Sequence, residues 1–261
     1  AGRKVTPYAR KLAGQMHVSL GALTGTGPGG VLTAKDVLGA QGGTAARLHT
    51  PFEVPVPGDG RPMTSMEKAV SHSMTGSLSM PTFRVLAYAK PDALIKAAKA
   101  QAVSVTVAIA KACALAIEKH PALNWAYQPS DRIVEHKQID IGMAVSADGG
   151  GLVVPVLRNC QSESLQALNT TWKDLVARAR LRRLKPEEYT HPTFAVSNMG
   201  MIGVTYFDAI PVAGTAAILA ISSTGEQGMP LTITADHRVV NGAEVALFLN
   251  TLKHTLEHPE S

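Results

Sequence analysis

Residues 234–242, TADHRVVNG, decide how this chain is read. Just before them, Leu231, Thr232, Ile233 and Thr234 alternate apolar and polar, the period of a half-buried strand. Just after them, Val245, Phe248, Leu249, Leu252 and Leu256 recur at helical spacing. Asp236, His237 and Arg238 therefore fall at or just past the end of a strand, ahead of a helix. Irregular segments that leave a strand are where α/β scaffolds place their chemistry. Histidine is the side chain suited to moving a proton near neutral pH. Asn241 either caps the following helix or faces the same cleft. A histidine between an acid and an arginine is also a common structural network, so these residues alone leave both readings open.

Working outward, 261 residues suffice for one large domain, or for one plus a small module. A hydrophobic share of 45% is that of a globular chain with a real core. Two cysteines rule out a disulfide framework, and nothing argues for an oxidising compartment. Cys113 sits in an apolar helical run, where burial is expected. No apolar run reaches membrane-spanning length. Charge is unevenly placed. Residues 1–61 carry seven Lys/Arg against three Asp/Glu, whereas residues 62–261 carry eighteen against seventeen. The front end is thus built for an acidic partner.

Residues 3–38 read as a miniature helical module. Thr6-Pro7 starts a helix, Thr as cap and Pro at the first helical position, with Tyr8, Leu12 and Met16 at spacing four. After the loop GTGPGG comes a short helix over 33–38, capped by Thr33 with Asp36 three residues later. Gly25, Gly27 and Gly30 satisfy G-x-G-x-x-G, but no strand precedes them and Pro28 interrupts, so a dinucleotide site is not expected. Residues 39–61, rich in Ala, Gly, Thr and Pro, have linker composition. From 62 onward the pattern is that of a layered α/β domain with a mixed sheet. Helices are expected over 64–78, 92–102, 105–119, 165–182 and 242–256. Strands are expected over 83–88, 133–134, 139–145, 152–157, 193–197, 216–221 and 231–234.

Two sets of residues carry a resemblance. Asp236, His237, Arg238, Asn241 and Gly242 match the signature Asp-His-Arg-x-x-(Asp or Asn)-Gly of the 2-oxo-acid dehydrogenase acyltransferases. AIAKACALAIEKHPALN, DIGMAVSADGGGLVVPVLRN and LKPEEYTHPTFAVSNMGMIGV resemble the same family along the body of the chain. GTGPGGVLTAKDV resembles its peripheral-subunit-binding domain, and FDAIPVAGTAAILAI its plastid pyruvate dehydrogenase members. The resemblance implies a chloramphenicol-acetyltransferase-like catalytic domain over 62–261, a two-helix peripheral-subunit-binding domain over 3–38, and a linker over 39–61.

It also implies a reaction: acetyl transfer from S-acetyl-dihydrolipoyl groups to coenzyme A, in the core of a pyruvate dehydrogenase complex. A thiol of pKa about 8.5 needs a base at neutral pH. His237 takes that role, and Ser197 supplies the hydroxyl that meets the oxyanion, a donor whose removal typically costs about 2.7–4 kcal/mol of barrier. Asn241 stands where many relatives have Asp; it carries no charge to hold an imidazolium, so orientation or capping suits it better. The lipoyl-bearing domain is expected upstream of Ala1. In the family the site forms between subunits of a homotrimer, His237 of one facing Ser197 of the next, and trimers build hollow cages. The front module docks dihydrolipoamide dehydrogenase or the pyruvate decarboxylase component, with Arg10 and Lys11 at the matching basic positions; Gly14 and Val31 replace Arg found in some relatives. A plastid location (chloroplast stroma) is implied, with mitochondrial matrix or bacterial cytoplasm as alternatives. Between Ile221 and Leu231 the usual longer hairpin shrinks to SSTGEQGMP.

Thiol exchange needs no metal. His254 and His258 lie at i, i+4 on the last helix but lack a third ligand. A rival reading is an RNA-binding protein, drawing on a pI near 9.3 and the run Arg178, Arg180, Arg182, Arg183, Lys185. Aromatics at 5% offer no stacking platform beside that run. A third reading, a non-catalytic assembly scaffold, is opposed by the retained His237 and Ser197. No membrane partner is expected.

Overall fold

The computed structural model describes residues 4–15, 18–38, 57–148 and 150–259. Met16, Gly149 and most of the expected linker, 39–56, lie outside the described residues. Two compact units emerge, Ala1–Pro62 and Met63–Ser261.

The front unit contains helix α1, Pro7–Gln15, and helix α2 over 34–38. Thr6 caps α1 by accepting from the Ala9 N–H at 3.2 Å. Ala9, Ala13 and Val37 form its small core, ringed by Val5, Leu12, Val18, Leu20 and Leu23. Lys4–Thr6 and Leu32 are joined by two backbone hydrogen bonds, a single parallel bridge. The glycine loop is packed against itself. A Cβ at Gly25 would sit 2.4 Å from the Gly30 carbonyl oxygen, so glycine there serves close backbone approach rather than a phosphate.

The capping expected of Thr33 is only half realised. Asp36 Oδ2 accepts from the Thr33 N–H at 2.8 Å, but the Thr33 hydroxyl donates to that same carboxylate instead of accepting a helical N–H. Thr26 adds its N–H and hydroxyl. Four donors hold the Asp36 carboxyl well below the usual carboxylate range, the Thr26 hydroxyl being the strongest cause.

The larger unit runs α3 Ser65–Ser77, β1 Thr82–Ala89, α4 Asp92–Ala100, α5 Val105–Lys119, β2 Trp125–Gln128, β3 Arg132–Glu135, β4 Ile141–Met143, β5 Val145–Ser146, β6 Leu152–Val153, β7 Val156–Leu157, α6 Leu165–Arg180, β8 Phe194–Asn198, β9 Ala217–Ile221, β10 Met229–Asp236 and α7 Gly242–Glu257. Six strands form a mixed sheet in the order β1-β10-β9-β8-β4-β7. β8 is parallel to β4 and β9, and the other pairs are antiparallel. The mixed α/β layering is the one expected.

One face of the sheet is apolar. Leu231, Ile233, Leu219, Ile221, Phe194, Val196 and Ile141 pack against Ile109, Cys113 and Ile117 of α5, Leu168, Trp172 and Leu175 of α6, and Val245, Phe248 and Leu252 of α7. Burial pushes the Cys160 thiol up to about 12 and the Cys113 thiol higher still, so neither is a nucleophile. The other face carries Arg84, Thr232, Thr234 and Ser197. An irregular strap over 203–216 is tied to this side. Asp208 pairs with Arg84, the Pro211 carbonyl accepts from the Ser77 hydroxyl at 3.0 Å, and the Val204 carbonyl accepts from the Ser223 N–H at 2.7 Å.

Several expected boundaries move. The expected strand over 152–157 is two short pieces in different sheets, β6 with β5 and β7 with β4, because Val154-Pro155 breaks the ladder. The strand expected over 139–145 is likewise divided. The helix from Asp92 stops at Ala100, and Ala102 then turns with φ 53. β2 was not expected at all. Its hairpin with β3 turns through the three residues Pro129, Ser130 and Asp131, the last two at positive φ. The shortened stretch after Ile221 closes at Gly225 and Gly228. Gly228, at φ 115, brings its Cα against the Ala89 carbonyl, where a Cβ would lie 2.6 Å away.

Candidate active site

All eight residues of β10 are buried, from Met229 to Asp236. A strand so placed delivers its last residue without positional freedom. That residue, Asp236, is 1% exposed, and its N–H donates to the Ala216 carbonyl at 2.8 Å. A buried carboxylate is costly unless its oxygens are met by donors. Here Arg238 meets them: Oδ1 accepts from the Arg238 backbone N–H at 3.0 Å and from Nε at 2.9 Å, and Oδ2 accepts from Nη2 at 2.7 Å. Hydrogen bonding to Asp236 holds the Arg238 guanidinium above its usual pKa against the pull of desolvation. The Val239 and Val240 N–H groups donate to the Asp236 carbonyl. The turn after β10 is thus wound around one aspartate.

His237 rides on that turn between the two partners. Its N–H donates to the Pro81 carbonyl at 2.9 Å, which ties it to the start of β1. Its ring leans on Phe83, centroids 4.6 Å apart and planes tilted by 51°. The residue is exposed, and among the described residues no group hydrogen-bonds either ring nitrogen. An imidazole held by its backbone and one aromatic face, with both nitrogens open, can accept a proton from an incoming thiol.

Asn241 is the N-cap of α7. Its side chain accepts from the Glu244 N–H at 3.0 Å, and Glu244 Oε2 accepts from the Asn241 N–H at 2.8 Å. This is a reciprocal capping box, and it commits the Asn241 oxygen to the helix.

Ser197 is placed elsewhere. It is half-buried near the end of β8, where parallel pairing sets it beside Ala220, and Ala220 is opposite Thr232. His237 lies five residues beyond Thr232 along β10, about 17 Å at strand rise, with two strand spacings of about 4.8 Å crossed sideways. Within one chain the two side chains are far out of contact. Beyond Ser197, Met201, Ile202, Tyr206 and Ile210 are large, apolar and exposed.

Arg10 and Lys11 are exposed on α1. Arg10 also borders an open depression with Gly14, Val18 and Leu20. The basic run that begins in the last turn of α6 is less available than its sequence suggests. Arg178 is ion-paired to Asp174 and Glu188, and Arg182 Nη2 donates to the Gly150 carbonyl at 2.6 Å. His254 and His258 stack at 4.7 Å, but among the described residues no cluster of three or more His, Cys, Asp or Glu could hold a metal.

Sequence reasoning missed one neighbour of this turn. Tyr127 of β2 lies under Arg238, whose Cζ is 3.9 Å from the ring centroid. Trp125-Ala126-Tyr127 followed by Pro129-Ser130-Asp131 carried a hairpin signal. Nothing local could show which loop that hairpin would meet.

Comparison with known proteins follows the same division of the chain. The family described as 2-oxoacid dehydrogenases acyltransferase (catalytic domain) matches residues 57–261, and the e3 binding domain matches residues 3–38. The dihydrolipoyllysine-residue acetyltransferase component 5 of the chloroplastic pyruvate dehydrogenase complex of Arabidopsis thaliana is 41% identical, covering 98% of this chain and 59% of that protein. The chain spans about three fifths of the length of the curated relatives it matches, 59% and 60% for two of them. Among solved structures, an Azotobacter vinelandii dihydrolipoamide acetyltransferase superposes with TM-score 0.74 at 29% identity, covering 80% of this chain and 97% of that one. That structure belongs to an investigation of a serine, a histidine and an asparagine in its catalytic mechanism. The cubic core of a pyruvate dehydrogenase multienzyme complex gives TM-score 0.72 at 29% identity, with the same coverage.

Proposed function

Since the chain belongs to the 2-oxoacid dehydrogenase acyltransferase family, we propose that it transfers an acetyl group from S-acetyl-dihydrolipoyl groups to coenzyme A. The carrying observation is the open His237 imidazole, fixed by a turn wound around the buried Asp236–Arg238 pair.

His237 accepts the thiol proton of coenzyme A as the sulfur attacks the thioester carbonyl. The carbonyl oxygen becomes an oxyanion and takes a hydrogen bond from the hydroxyl of Ser197. The tetrahedral intermediate then collapses. Its bond to the dihydrolipoyl sulfur breaks, that thiolate recovers the proton from the His237 imidazolium, and acetyl-CoA leaves. Asn241 acts through its cap, setting where the turn meets α7. The serine, histidine and asparagine investigated in the Azotobacter enzyme are the same three residue types.

The separation of Ser197 from His237 supports a reaction centre completed by assembly. We read the working unit as a homotrimer, His237 of one copy facing Ser197 of another, built into a larger core as in the cubic relative. The exposed Met201, Ile202, Tyr206 and Ile210 suit burial between copies. The front unit, with Arg10 and Lys11 exposed and its Asp36 consumed internally, suits an acidic docking surface on dihydrolipoamide dehydrogenase or the decarboxylase component. Chloroplastic relatives support a plastid location.

The test is acetyl transfer from acetyl-dihydrolipoamide to coenzyme A by the purified chain. His237→Ala should abolish turnover; retained turnover in that variant removes His237 as the base.

A further inference from the structure

The turn that presents His237 has an outer contact that the reaction scheme does not use. Arg238 bonds to Asp236 through Nε and Nη2, and its Cζ lies over the Tyr127 ring, 3.9 Å from the centroid. We propose that Tyr127 is a positioning residue for acyl transfer, its ring covering the Arg238 guanidinium and so holding the turn that carries His237. The inference rests on the reading of His237 as the base, and it adds a residue from a distant hairpin to that site.

Three features carry it. First, the hairpin is itself anchored. Asn124 Nδ2 donates to the carbonyls of His136 and Gln138, both at 2.9 Å, clamping the base of the β2–β3 hairpin, and Trp125 packs on the core. Tyr127, two residues on and opposite Ile133, is therefore a fixed surface. Second, the direction of His237 depends on this turn. His237 is held by one backbone hydrogen bond and one aromatic contact, so its direction follows the backbone of residues 236–239. That backbone is set in turn by the Asp236 carboxylate, which binds both the Arg238 N–H and its guanidinium. Third, the guanidinium is only partly covered, its side chain 30% exposed against 2% for Asp236. An aromatic ring on one face excludes water from the pair and adds a cation–π attraction. Without the ring, water reaches that face, the ion pair weakens, and the N–H of Arg238 gains freedom. A base displaced by even about 1 Å loses much of its rate.

The experiment uses the full chain in its native assembly, with Tyr127→Thr, which keeps strand propensity but removes the ring, and Tyr127→Phe, which keeps the ring. Expected for Tyr127→Thr is a kcat on the order of tenfold lower, with KM for coenzyme A unchanged. Amide hydrogen exchange should quicken at residues 238–240 and stay parental in α5 and α7. Tyr127→Phe should restore both kcat and exchange. Parental kcat and exchange in Tyr127→Thr would overturn the inference. So would equal impairment of Tyr127→Phe, or faster exchange spread over the whole unit. If the parent chain transfers no acetyl group, the reading of His237 fails, while exchange at 238–240 still decides whether Tyr127 holds the turn.

Discussion

Ser197 and His237 are held far apart by one sheet, Ser197 level with Thr232 through Ala220 and His237 just beyond Asp236, the last residue of β10. No rotamer change closes such a gap. A reaction that needs both must take them from two copies of the chain.

This gives a complementation prediction. Ser197→Ala and His237→Ala, each impaired alone, should recover activity when unfolded together and reassembled. Random mixing leaves about a quarter of the junctions of a ring with both wild-type side chains. Recovery to roughly that fraction, measured by acetyl-CoA formation, supports a shared site. Absence of recovery in well-assembled mixtures contradicts it.

Asn241 tests capping against charge. Asn241→Ala removes the acceptor for the Glu244 N–H and should cost about 1 kcal/mol of stability in denaturant unfolding. Asn241→Asp keeps the acceptor and should be neutral or stabilising by about 0.3–1 kcal/mol through the helix dipole. Its kcat should stay close to parental.

Asp36 gives the front unit a pH dependence of definite sign. Its folded pKa is depressed by hydrogen bonds from Thr26 and Thr33. The stabilisation is therefore complete above the unfolded value of about 3.9 and fades as pH falls below it toward the depressed folded value. Amide exchange over residues 25–37 should accelerate below about pH 4 in the parent. In Asp36→Asn it should be faster at neutral pH and lose this acid step.

Lys111 secures the loop between β7 and α6. Its Nζ donates to the carbonyls of Cys160, Gln161 and Glu163 at 2.8–3.0 Å. Lys111→Met keeps the stem but leaves three carbonyls unmet, and should lower unfolding free energy by about 1.5–3 kcal/mol. A denaturant midpoint within error of the parent would show that water replaces the ammonium.

Periodicity found the sheet-and-helix order because burial acts on each segment separately. Leu231 and Ile233 of LTIT and the stripe Val245, Phe248, Leu252 face one core, but Thr232 and Thr234 are buried as well, so the strand is not the half-buried one its alternation predicts. Periodicity failed where the ladder was cut by Val154-Pro155, and at β2, whose two aromatics divide their duties. Trp125 supports the core, while Tyr127 supports an arginine more than a hundred residues away in sequence.

By itself the sequence determined the family, the layered α/β class and the identity of the candidate base, because residue type and local spacing carry those. Only the tertiary structure decided that Asp236 is buried and spent on Arg238, that Asn241 caps a helix, and that Ser197 and His237 cannot meet within a chain. The last of these is a consequence of strand register, and register is set by the packing of the whole sheet rather than by any one stretch of it.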